Sequence, residues 1–225
     1  MAGAHERFCR FFTRGRIPLW VKLLYTLWVA MLVPEHWQSS PVSLLWFCNV
    51  ALLTTLVALW LENSLLASMQ AVAIVWWMLL WVVDFLIHVV TGLKTIGLPL
   101  GMSNYMFDEK LSTFSRFLSL YHAWLPFLLL WLLRRLGYHR RALLAQTLFA
   151  WVVLLLSYAL TKDPHGPAAN VNQVYGWSET EPQTWMSPWL WLAMIMVVWP
   201  ASVYVPSHFL FRRIFSLRKP EPPAV

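Results

Sequence analysis

Six stretches of this chain, residues 17–33, 42–60, 64–90, 114–133, 142–160 and 188–211, are almost free of charge and come near the length of a bilayer crossing. A spanning helix needs about 20 apolar residues at a rise of about 1.5 Å each. In hydrocarbon every backbone N–H and C=O must be satisfied inside the protein, and a helix does that within a single segment. The pattern predicts an all-α, polytopic integral membrane protein of six transmembrane helices. Residues 1–16 form a basic cytoplasmic segment, 17–211 the transmembrane domain and 212–225 a basic cytoplasmic tail. Composition agrees, because 59% of the chain is apolar and 12% charged. That little charge leaves large apolar patches on any water-facing globule of this size.

The Lys/Arg distribution sets the orientation. Thirteen of the 17 basic residues fall on one side of the six-span scheme: Arg7, Arg10, Arg14, Arg16 and Lys22 before or within the first span, Arg134, Arg135, Arg140 and Arg141 between the fourth and fifth, and Arg212, Arg213, Arg218 and Lys219 after the sixth. The positive-inside rule makes that side cytoplasmic and predicts both termini inside. The net charge of +7 therefore belongs to topology. It calls for anionic membrane lipids as partners and, with no long basic helix, for no nucleic acid. The first apolar run reads as a retained helix, because Pro34-Glu35-His36-Trp37 follows it in place of a small-residue cleavage site. Cys9 and Cys48 fall on different sides or depths, which rules against a disulfide between them. The two long loops, Thr91 to Thr113 and Thr161 to Ser187, fall outside and are expected to cap the bundle.

Ionisable groups inside a span are costly and mark sites by default. Four stand out: Glu62, Asp84, His88 and His122. Glu62, at the inner end of the second span, is expected to pair with an arginine among Arg134, Arg135, Arg140 and Arg141. Asp84 and His88 are four apart and share one helix face. Counted from the outer ends of their helices, Cys48, Asn49, Asp84 and His122 all lie about 9–12 Å deep, in one layer. A carboxylate that orients an imidazole, with a thiol nearby, makes a nucleophile-base site, with Ser119 as a substitute nucleophile. The same residues also suit a structural polar network, and Asp84, His88 and His122 suit a metal or haem site, although no HExxH or paired-Cys motif is present and no cofactor is expected. His165 and His208 are assigned to the interface.

The runs IPLWVKLLYTLWVAMLVP, WLENSLLASM, FLSLYHAWLPFLLLWLLRRLGYHRRALLAQTLFAWVVLLLSY and NVNQVYG resemble a bacterial family of six-helix proteins labelled "membrane-associated protein". That resemblance spans nearly the whole chain and implies a multi-pass protein of the bacterial cytoplasmic (inner) membrane. More distantly, the pattern resembles the six-helix intramembrane superfamily that includes the androgen-induced hydrolases of fatty acid esters of hydroxy fatty acids and a thiol-dependent phospholipid acyltransferase. This resemblance implies a lipid-directed acyl hydrolase or acyltransferase. FCNVALLTT then places Cys48 as nucleophile, LYHAW places His122 as base, and NVNQV supplies an asparagine segment before the last helix. The functional expectation is His122 as general base, Asp84 as its orienting carboxylate, Cys48 as nucleophile, and Asn49, His88 and Asn172 as substrate- or oxyanion-binding groups. The alternative is a non-catalytic scaffold or assembly protein in which Asp84, His88 and His122 tie helices together.

Overall fold

A computed structural model describes residues 16–92, 101–161, 170–178 and 182–215. Cys9 and His165 lie outside the described residues. Among the described residues all regular structure is helical: α1 (Leu19–Ser39), α2 (Phe47–Leu61), α3 (Ser64–Thr91), α4 (Thr113–Ser119), α5 (Tyr121–Leu136), α6 (Ala142–Leu160), α7 (Pro188–Trp199) and α8 (Val205–Phe215). Three 3₁₀ turns, Pro41–Leu45, Asn104–Phe107 and Val171–Gln173, punctuate the loops, and a π turn, Pro200–Tyr204, joins α7 to α8.

Among the described residues four helical units are long and apolar enough to cross a membrane: α3, α4 with α5, α6, and α7 through α8. Their outward faces carry Leu86, Val90, Leu144, Val152, Val197 and Phe209, all exposed. An apolar exterior over an apolar interior suits lipid as the solvent. The second expected span differs from its sequence reading. Residues 42–60 divide into the 3₁₀ turn and the 15-residue α2, because Pro41 starts a tight turn and the chain is extended at Trp46 before α2 begins. Pro34 does not end α1, which continues to Ser39.

The central helix is α3, which packs against α2, α5, α6, α8 and the π turn. Its first half carries Ala67, Ser68, Ala71 and Ala73, all buried, and small side chains let neighbouring backbones approach closely. Asn63 starts this helix by accepting from the backbone N–H groups of Leu65 and Leu66 at 2.9 and 3.1 Å. Gly92, at φ +67°, stops it.

Two breaks in helical hydrogen bonding place side chains at the site. Pro200 has no N–H, so the carbonyl of Met196 loses its helical donor. The Trp151 indole Nε1–H donates to that oxygen at 2.8 Å. The π turn that follows carries Tyr204 inward. Between α4 and α5 the helix tightens at Leu120, and Ala123 N–H bonds to the Leu120 carbonyl at 2.9 Å. The Ser119 carbonyl, the ordinary helical acceptor for Ala123, is left to a side chain.

Glu62 has φ +48°, the left-handed conformation, and this turn reverses the chain from α2 into α3. Its carboxylate meets Lys22 Nζ at 2.9 Å and accepts from the backbone N–H groups of Arg16 and Ile17 at 3.0 and 3.3 Å. The expected partner among Arg134, Arg135, Arg140 and Arg141 is therefore replaced by the start of α1. The turn points the side chain there, and local geometry outweighs the number of arginines. Burial acts to raise this carboxyl, but the Lys22 ammonium and the two N–H groups outweigh it and hold the group below the ordinary glutamate range.

Candidate functional site

A partly open cavity of about 390 Å³ lies where α2, α3, α5 and the π turn meet under the end of α1 and the Val171–Gln173 turn. Trp46, Trp77, Trp81 and Trp199 make much of its wall. The wall is mainly apolar, and among the polar groups that line it His36 from α1, Cys48 and Asn49 from α2, and His122 from α5 come from separate elements. An apolar cavity with a few convergent polar groups is the usual form of a small-molecule site.

His122 sits at the start of α5, just past the break. Its Nδ1 is 2.8 Å from the Ser119 carbonyl. A carbonyl can only accept, so Nδ1 carries the hydrogen and Nε2 keeps its lone pair. The ring stacks on Trp81, centroids 5.0 Å apart at 22°, which fixes its plane. Backbone and indole thus fix the tautomer and the plane of the imidazole.

Cys48 is a free thiol beside the Tyr121 hydroxyl. That hydroxyl donates to Asn49 Oδ1 at 2.7 Å, and Asn49 Nδ2 donates to the Ser43 carbonyl at 2.9 Å. Among the described residues the Asn49 amide nitrogen has no second acceptor. Ser119 also borders the cavity.

The other expected members of the layer go elsewhere. Asp84 accepts from Gly101 N–H and Ser103 N–H, each at 2.8 Å, and from Ser103 Oγ–H at 2.6 Å. Its work is to hold the loop after α3 onto the helix, and the ring hydrogen of His122 goes to Ser119 in its place. His88 stacks on Phe107 at 3.6 Å and is not part of the cavity wall. Depth alone cannot separate two sides of one helix, which is why the sequence puts Asp84 and His122 together. Among the described residues no group of three or more His, Cys, Asp or Glu side chains is placed to hold a metal, so Asp84, His88 and His122 do not form the ligand set that spacing allowed.

Asn172 reaches the cavity, but its amide is committed. Oδ1 accepts from Phe47 N–H at 2.9 Å, while Nδ2 donates to the Leu45 carbonyl at 2.7 Å and Ser157 Oγ at 3.0 Å. It clamps the start of α2 to α6, with its own backbone left-handed at φ +58°. Val171 and Val174 are fully buried on either side, so this part of the connection between α6 and α7 dips into the bundle. It is a plug more than a cap.

Sequence reading missed His36. It follows Glu35, past the end of the expected first span at Val33. The continuation through Pro34 carries it to the cavity.

No protein-family model matches the chain, and no curated protein or solved structure does either.

Proposed function

We propose that the chain is a six-span integral membrane protein, with both termini in the cytoplasm, whose cavity acts on an acyl ester of a membrane lipid as a hydrolase or acyltransferase. The arrangement of His122 supports this reading most: an imidazole with Nδ1–H fixed on Ser119 and its Nε2 lone pair left for the cavity that Cys48 and Asn49 also line. In this reading His122 takes the proton of the Cys48 thiol, Cys48 attacks the ester carbonyl, and the spare Asn49 amide hydrogen meets the developing oxyanion. Asp84 and Asn172 are positioning residues that hold loops against the site. The tryptophan-rich wall suits an acyl chain.

The six-span topology rests on α1 and α2 packing beside the four longer units and on the clustering of Arg134, Arg135, Arg140 and Arg141 in one turn. The bacterial inner membrane as its location rests on the family resemblance. The deciding experiment treats detergent-solubilised protein with a lipid-like fluorophosphonate or chloroacetamide probe. Labelling of the wild type, lost in Cys48→Ala and in His122→Ala while both still melt cooperatively, supports the reading. Labelling indifferent to His122 would sink it.

The second reading is a non-catalytic scaffold. It is favoured by the fact that Asp84 and Asn172 spend their hydrogen bonds on loops. In that case His122→Gln lowers stability and changes no chemistry.

A further inference from the structure

The cavity holds a second histidine whose hydrogen bonds repeat the logic of the first. His36 Nδ1 is 2.8 Å from Ser43 Oγ, and Ser43 Oγ is 2.6 Å from the Ser40 carbonyl. The Ser40 carbonyl can only accept, so the single hydroxyl hydrogen of Ser43 is spent there. Ser43 must then accept from His36, which puts the ring hydrogen on Nδ1 and makes Nε2 the proton-exchanging atom. Two rings from distant parts of the chain are therefore anchored through Nδ1 on protein oxygens, and both border one cavity with Nε2 unclaimed by any hydrogen bond among the described residues. Acyl transfer from an ester of an alcohol needs one group to take the thiol proton and a second to give a proton to the leaving oxygen. With His122 as the base, the second ring on the cavity wall is left for the acid's part.

We propose that His36 is the general acid of this site, delivering a proton from Nε2 to the leaving alcohol while His122 serves as base. The inference rests on the acyl-transfer reading above. In the first half-reaction the Cys48 S–C bond forms and the ester C–O bond breaks; the thiol proton goes to His122 and the leaving oxygen takes the proton of His36. In the second, water or an acceptor hydroxyl attacks the thioester and gives its proton to His36. The S–C bond breaks and the departing thiolate recovers its proton from His122. Both rings and the thiol end as they began. Ser43 is a positioning residue that holds the His36 tautomer.

The test compares two esters of the same acyl chain on purified, detergent-solubilised protein. A p-nitrophenyl ester has a leaving group that departs without a proton, whereas a glyceryl ester needs one. His36→Gln is expected to slow the glyceryl ester by about 10²-fold or more and the p-nitrophenyl ester by only a few-fold, because general acid catalysis contributes about 10²–10⁴. His122→Gln is expected to slow both. Ser43→Ala, which leaves the ring in place without its acceptor, is expected to show a smaller selective loss on the glyceryl ester, and it carries the test should His36→Gln not fold. Equal slowing of both esters, or of neither, in His36→Gln and Ser43→Ala would overturn the assignment to His36 while leaving Cys48 and His122 in place. A wild type that turns over neither ester and takes no probe label would overturn both.

Discussion

Along the first half of α3 every residue from Ala67 to Val75 is buried, while beyond Trp76 full burial falls to Met78, Trp81, Asp84 and His88. The first half is enclosed on all sides by helices and filled with small side chains. The second half has a single buried face, spaced three or four residues apart, and that face carries the aromatic and polar groups. One helix thus serves two purposes. Where it is enclosed, its position is fixed by packing, which tolerates no added volume. Where it is open, its surroundings are fixed by a few hydrogen bonds and ring stacks, and the cavity sits at the border between the two, against Ala73, Ile74, Trp77 and Trp81.

The largest break in that contrast is overpacking. Ala71 has no exposed surface, and Ala71→Leu is expected to cost about 3 kcal/mol, the upper end for added core volume, because no neighbouring helix has room to retreat. Leu86→Ala, on the exposed side of the second half, is expected to stay within about 0.5 kcal/mol. Thermal unfolding in one detergent compares the two, and similar losses would mean that the halves are not built differently.

Next come the bonds that hold the open half. Asn172→Ala removes three hydrogen bonds, each worth about 0.6 kcal/mol between membrane helices, so a loss of about 2 kcal/mol is expected. The accompanying sign is access: the cavity should take up a thiol reagent at Cys48 faster once the clamp on α2 is gone. Asp84→Asn is smaller and local. It turns one acceptor oxygen into an N–H donor facing Gly101 N–H or Ser103 N–H, at about 1 kcal/mol for the unmet donor. Hydrogen exchange should rise in residues 101–107 and stay unchanged in Ala67 to Val75. Protection lost equally in both would show that the halves unfold together.

These same residues mark what the sequence made legible. Helix type and rough position follow from apolar length, because lipid enforces helices, and α6 appears at the expected bounds of 142–160. The cavity residues Cys48, Asn49 and His122 were visible because polar groups in apolar runs are conspicuous. Azimuth was not visible. Asp84 shares its depth with His122 but turns toward the loop, and no count of residues along an axis reports rotation about it. Broken helices were hidden too: the 3₁₀ turn at Pro41 and the extension through Pro34 lie inside or beside apolar runs where hydropathy is uniform, so His36 stood outside the expected layer.

The smallest effect concerns the turn that feeds the enclosed half. Glu62 is partly exposed, and its pair with Lys22 is expected to be worth about 0.2–1 kcal/mol, the range for solvent-reached pairs. Its carboxyl is held below the ordinary value in the folded chain, so the stabilisation is present above the ordinary glutamate range and disappears as pH falls through the folded value. Glu62→Gln should therefore flatten the stability profile in the acid range while changing neutral stability little. Arg134→Gln and Arg140→Gln should leave that acid slope as it is, because the carboxylate reaches Lys22 and the backbone of Arg16 and Ile17. Urea unfolding between neutral and acid pH separates the cases. A slope that follows the arginines would return Glu62 to the partner that charge counting suggests, and would mean that the left-handed turn does not set its direction.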